Sequence, residues 1–149
     1  IINYNNKLII SSNHSTYILD SNNGSILYKI NFSSIIKPII VKNYLFIVTK
    51  NNLLISFDLN KGDLIYSYNI NDKVAEFLNI KKKNVNFKSL FMMNSNIFIF
   101  LKNSYLLKFN VNGNLLDVKK LPSKIKSDPI IIDKSILYLD KKNKLSIIN

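Results

Sequence analysis

The chain has no cysteine, no tryptophan, one histidine, and only 3 Gly and 3 Pro in 149 residues. Without cysteine there is no disulfide, no Cys-based metal site and no thiol nucleophile within this stretch. A single histidine, His14, allows no His-based metal site and is the one residue that could serve a nucleophile as base in the usual way. Its setting, Ser12-Asn13-His14-Ser15, reads as a turn. Gly24, Gly62 and Gly113 stand apart from one another, so no glycine-rich phosphate loop is present. The acids form no Asp-x-Asp-x-Asp calcium loop and suggest no paired-carboxylate centre. Apolar runs are short as well. Tyr44–Val48 and Ile97–Leu101 are strand-sized, far below the roughly 18 residues of a membrane-spanning helix.

What the chain does contain is apolar and basic. Hydrophobic residues make up 47%, enough for a core, and 21 basic against 9 acidic residues give a net charge of +12. Such a balance raises the question of nucleic acid or an anionic membrane as partner. The lysines, however, are scattered, and only Lys81-Lys82-Lys83 form a run. The abundance of Ile, Asn, Lys, Tyr and Phe is what AT-rich codons impose, which supplies lysine without selecting for phosphate. No nucleic-acid partner is expected.

The strongest signal is internal repetition, the first thing to look for in a strand-rich chain. Asp20 to Asp58 spans 38 residues, and Gly24 to Gly62 spans 38 again. Tyr28 and Tyr66 each follow their glycine by four residues. Ile47, Ile99 and Tyr138 recur at intervals of 52 and 39, and Pro38 and Pro129 each lie nine residues before Ile47 and Tyr138. Runs of Val, Ile, Leu, Tyr and Phe bounded by Asn, Asp, Lys, Ser and Gly read as short strands. A unit near 40 residues with four such strands matches a propeller blade. A sandwich would not repeat its turn residues in register. Asp at a strand end accepts backbone N–H groups and starts a turn. Glycine four residues on suits a positive φ. A ring on the outermost strand can pack across to the next blade.

The pattern Asp-x-x-x-Gly-x-x-x-aromatic, followed by Pro and two strands, resembles the repeat of the PQQ-like (quinoprotein-type) β-propellers. In that family the aromatic is usually Trp and docks one blade on the next. Tyr28 and Tyr66 match it here. The third copy departs from it, with Asn110 for Asp, a turn one residue shorter, Gly113, and Asp117 in place of the aromatic.

The expected architecture is an all-β propeller fragment of about three to four four-stranded blades, the C-terminal part of a seven- or eight-bladed ring. The blades fall at about 1–30 (partial, two or three strands), 37–70, 89–119 and 128–149 (partial). An insertion over 71–88 carries a short helix at Lys73–Asn79 capped by Asn71-Asp72. The structural motif residues are Asp20, Gly24, Tyr28, Pro38, Asp58, Gly62, Tyr66, Gly113 and Pro129.

Insertions in repeat proteins often build binding surface. Phe77, Lys81, Lys82 and Lys83 are therefore the candidate partner contacts. No catalytic, cofactor or metal residues are expected. Quinone-dependent dehydrogenases share the repeat, but the resemblance ties their pocket to Trp, a vicinal Cys pair and calcium ligands, and this chain has neither Trp nor Cys.

Among propellers without a cofactor set, the chain most resembles the family of the outer-membrane β-barrel assembly factor BamB. That resemblance implies a non-catalytic, periplasmic, outer-membrane-associated scaffold. It would bind the barrel-assembly protein and touch the membrane only through a lipid anchor outside this stretch. A periplasmic propeller that binds polysaccharide or another protein is the other binding reading.

Overall fold

The structure, a computed structural model, describes residues 1–148. Among the described residues, fifteen strands pair into four antiparallel sheets, and one helix lies outside them. The first sheet runs β1 (Ile2–Tyr4), β2 (Lys7–Ser11), β3 (Thr16–Asp20) and β4 (Ile26–Ile30); the second runs β5 (Ile39–Val41), β6 (Tyr44–Val48), β7 (Leu53–Asp58) and β8 (Asp63–Asn69). Helix α1 (Ile70–Leu78) comes next. The third sheet holds β9 (Phe87–Met93), β10 (Asn96–Leu101), β11 (Tyr105–Asn110) and β12 (Leu115–Lys120). The fourth holds β13 (Ile130–Ile132), β14 (Ser135–Leu139) and β15 (Leu145–Ile148). Every sheet is a meander of sequential neighbours. Contacts divide the chain into two units, Ile1–Tyr68 and Asn69–Asn149, with two sheets in each.

The first sheet has four strands, where two or three are expected from sequence. The strand that sequence reading misses is β1, joined to β2 through Asn5-Asn6, with Tyr4 opposite Lys7. Asn5 and Asn6 have φ of 45° and 58°, as a two-residue type I′ hairpin needs. Asn tolerates that conformation, so no glycine marks the turn. Asn94-Ser95 makes the same turn between β9 and β10, with φ of 50° and 57°.

The insertion also differs from expectation. The helix starts at Ile70, directly after β8, and its cap is Asn69, whose side chain accepts the N–H groups of Asn71 and Asp72. It stops at Asn79, in the left-handed region at φ 50°, where the N–H groups of Asn79 and Ile80 return to the carbonyls of Glu76 and Ala75. This is a Schellman closure. Phe87 and Lys88, assigned to the insertion from sequence, belong to β9, where Phe87 is buried and pairs with Leu101.

Repetition holds at the level of single bonds. Asp20 Oδ1 accepts Asn22 N–H at 2.7 Å, Asp58 Oδ1 accepts Asn60 N–H at 2.8 Å, and Asn110 Oδ1 accepts Asn112 N–H at 3.0 Å. The glycine closing each turn donates its N–H to the carbonyl of that same residue. Gly24, Gly62 and Gly113 have φ of 75°, 77° and 81°. Pro38 and Pro129 each stand one residue before the first strand of a sheet, where a missing N–H costs no ladder bond.

Asp58 is held below the usual carboxylate range, first by the Asn60 N–H and then by the Lys61 N–H. Asp140 is lowered in the same way, first by the Lys144 N–H. A lowered folded-state value stabilises the fold above the ordinary carboxylate range, and that stabilisation is lost as pH falls through the folded value. Asn110 performs the same turn capping without charge. The pair Asp58→Asn and Asp140→Asn is therefore expected to flatten the fall of Tm below about pH 4. Thermal melts between pH 2 and pH 7 check this, and an unchanged acid limb would contradict it.

Each unit has its own core. In the first, Ile9 and Ile18 of the first sheet pack against Leu45 and Phe57 of the second. In the second, Phe98, Phe100 and Leu106 of the third sheet pack against Ile136 and Tyr138 of the fourth.

Candidate functional site

In the first repeat the aromatic is a joint between two sheets. Tyr28, on β4, places its Oη 2.9 Å from the carbonyl of Asn60, and its ring meets Phe57 edge-on at 6.0 Å. The ring lies so close over Gly62 that a Cβ built there would be 2.3 Å from Tyr28 Cε1. The glycine therefore serves twice, supplying the positive φ and leaving room for the neighbouring sheet's ring. Tyr66 stacks on Tyr68 at 5.0 Å. Burial, and to a lesser extent Tyr68, raises the Tyr66 phenol well above its ordinary value. Its Oη is buried without a hydrogen-bond partner among the described residues.

Asp117 stands opposite Lys108 on β11, as Tyr28 stands opposite Ile18 on β3. Where the first two repeats carry a ring, the third carries a short carboxylate. A cleft of about 360 Å³ opens there in the second unit, bounded by Phe98, Leu106, Ile136, Ile148, Lys108 and Asp117.

The partner candidates cluster around α1. Phe77 is 47% exposed, and Leu78 and Ile80 are exposed beside it. Beneath the helix lies a second cleft of about 210 Å³, walled by Val74, Leu78 and Ile80 on one side and by Leu101, Leu107 and Val118 of the third sheet on the other. Lys81 and Lys83 stand at its edge. Lys82 instead reaches back to Asp72 at 2.5 Å. Phe77 faces a shallower depression with Lys73, Glu76 and Leu115. The four candidate residues thus sit on one helix and the loop after it, but Phe77 does not line the cleft that Lys81 and Lys83 border.

Sequence reading gives Asn71 only as a helix cap, and the structure places it inside the first turn. It is 1% exposed, and its Nδ2 donates to Asn84 Oδ1 at 3.4 Å. Its Oδ1 is buried without a partner among the described residues, at the wall of this cleft. An unmet acceptor in such a place costs free energy unless something donates to it. The signal was present, since Asn69-x-x-Asp72 is a helix-start pattern that puts Asn71 inside the first turn.

No family model matches the chain, and no curated protein matches it. Solved structures do. BamB from Moraxella catarrhalis superposes with a TM-score of 0.56 at 9% identity, over 95% of this chain and 54% of its own. The chain thus spans about half the length of that protein. Its fold is a portion of a β-propeller. The computationally designed protein Ika4 matches with a TM-score of 0.68 at 10% identity, over 97% of this chain and 86% of its own. The designed Ika8 matches at 0.69 and 10% identity, over 98% of this chain and 43% of its own. At such identities the likeness concerns backbone architecture, within which α1 and its loop are the one helical interruption among the described residues.

Proposed function

We propose that the chain is part of a non-catalytic protein-binding scaffold, of the kind its resemblance to BamB suggests. In this reading it is periplasmic and associated with the outer membrane, and it holds the barrel-assembly protein. Contact runs through α1 and the loop 79–86. The observation that carries the reading is the exposed apolar group Phe77, Leu78 and Ile80 beside a cleft edged by Lys81 and Lys83. A scaffold of hairpins gains nothing in stability by exposing three large apolar side chains together, and such patches mark interaction sites. The fitting partner segment presents apolar side chains flanked by acidic ones. It also offers an N–H to the unmet Asn71 Oδ1.

The test is a pull-down from solubilised envelope with the full-length protein, reading co-purified proteins by mass spectrometry. Phe77→Ala with Ile80→Ala is expected to lower partner recovery by about tenfold or more, as for truncation of interface anchors. Because both side chains are exposed, Tm should move by no more than a degree or two. Undiminished recovery would move the site elsewhere on the scaffold. A tightly bound quinone without a protein partner would overturn the scaffold reading.

A further inference from the structure

Three features meet in the cleft beneath α1, which is formed wholly within the second unit by residues 71–118. The first is an apolar wall. Leu101 and Leu107 of the third sheet are buried behind it, and Val74, Leu78 and Ile80 close the other side. The second is the Asn71 side chain, 1% exposed. Its Nδ2 is turned to Asn84 Oδ1, so the end left over is the acceptor Oδ1, which meets no donor among the described residues.

The third is a cationic edge. Of the run Lys81-Lys82-Lys83, the middle residue is paired with Asp72. Lys81 and Lys83 border the cleft instead and make no ion pair among the described residues. No Asp or Glu among the described residues lines the cleft, and Glu76 of the same helix faces the separate depression beside Phe77. The charge at this edge therefore has no counterpart within the cleft.

A ligand that answers all three carries an apolar group, an N–H donor and an anion close together. The last residue of a polypeptide offers them from a single Cα, as its side chain, its amide N–H and its free carboxylate. Capture of a terminal carboxylate is an established mode of peptide recognition. The size agrees: at about 210 Å³ the cleft is smaller than the roughly 300–1,000 Å³ of pockets for drug-sized ligands, and suits one terminal residue.

Building on the scaffold reading above and narrowing its acidic group to a terminal carboxylate, we propose that this cleft receives the C-terminal residue of a partner polypeptide. That residue is leucine, isoleucine or phenylalanine. Its side chain enters between α1 and the third sheet, its N–H donates to Asn71 Oδ1, and its carboxylate lies between Lys81 and Lys83. Ammonium groups on flexible stems can close on the carboxylate as it arrives, and charge-assisted bonds are roughly twice as strong as neutral ones. Phe77 lies outside the cleft and takes no part in this contact.

Fluorescence anisotropy with the full-length protein tests this, using labelled Gly-Ser hexapeptides that end in leucine, isoleucine or phenylalanine. Each is made as the free acid, as the C-terminal amide, and as the free acid with its last amide N-methylated. At least one free acid is expected to bind, with its amide weaker by about tenfold or more. N-methylation removes the donor to Asn71 and should cost about threefold or more. Lys81→Gln with Lys83→Gln, both at exposed positions, should weaken the free acid about tenfold and leave the amide unchanged. Added salt should weaken the free acid in the same selective way. Phe77→Ala should alter neither. Binding that does not distinguish acid from amide, or that survives loss of both lysines, overturns the proposal. So does failure of every free acid to bind. The scaffold reading is then judged separately by the pull-down, whose dependence on Phe77 needs no free C-terminus. Selective binding of the free acid beside an undiminished pull-down keeps the C-terminal site and moves the scaffold contact elsewhere.

Discussion

Gly62→Ala should cost about 2–4 kcal/mol of stability, whereas Gly24→Ala, at a near-identical backbone angle, should cost only about 1 kcal/mol. Both glycines sit in the left-handed region, at φ of 77° and 75°, so the conformational penalty of a Cβ is shared. Their surroundings differ. Nothing lies within 4 Å of a Cβ at Gly24, while one at Gly62 would meet three ring atoms of Tyr28, the nearest at 2.3 Å. That ring cannot simply swing away. Its Oη is held by the Asn60 carbonyl and its edge rests on Phe57, so moving it opens the joint between the first two sheets. Urea unfolding of the two single variants measures the difference directly. A double-mutant cycle sharpens it: in a Tyr28→Ala background the clash is gone, and Gly62→Ala should fall to the cost of Gly24→Ala. Equal costs in the natural background would mean that the ring does not dock on that glycine.

This joint shows what was legible in the sequence and why. The spacing from Asp to Gly to Tyr is visible because physical demands recur at fixed intervals: a turn-capping acceptor, a positive φ, and a ring on the outermost strand, which at Tyr28 meets the next sheet. The buried strand centres Ile47, Ile99 and Tyr138 were visible for the same reason, since apolar residues recur there in register. Where asparagine stood in for glycine the signal faded, which is how β1 and its Asn5-Asn6 turn escaped. The bounds of α1 were misplaced because Asn69, Asn71 and Asp72 are all plausible caps, and only the geometry of the preceding strand selects Asn69. The cleft beneath α1 was not legible at all. It depends on how a helix from the insertion lies over the third sheet, bringing Val74 and Ile80 opposite Leu101 and Val118, residues far apart in the chain. Asp117 was legible as a departure, but the opening beside it became visible only with the ladder that sets it opposite Lys108.

The core of the second unit yields the other large effect. Phe100 is fully buried, 5.6 Å from the Phe91 ring and 5.7 Å from that of Tyr138, at the centre of the packing between the third and fourth sheets. Phe100→Ala is expected to destabilise the protein by about 3–5 kcal/mol, through lost burial and the cavity left between rings that have nothing else to fill it. Tyr138 lies in the same cluster at 2% exposure, and its Oη is buried with no hydrogen-bond partner among the described residues. Folding strips that hydroxyl of water and returns no bond, so the ring contributes while the oxygen detracts. Tyr138→Phe keeps the ring and removes the oxygen, and should raise stability by up to about 1 kcal/mol. The two changes therefore have opposite signs at neighbouring rings, and denaturant titrations under one set of conditions resolve them. A destabilised Tyr138→Phe would show that the hydroxyl is satisfied in solution, and the packing between these two sheets would then be looser around Tyr138 than the buried cluster describes.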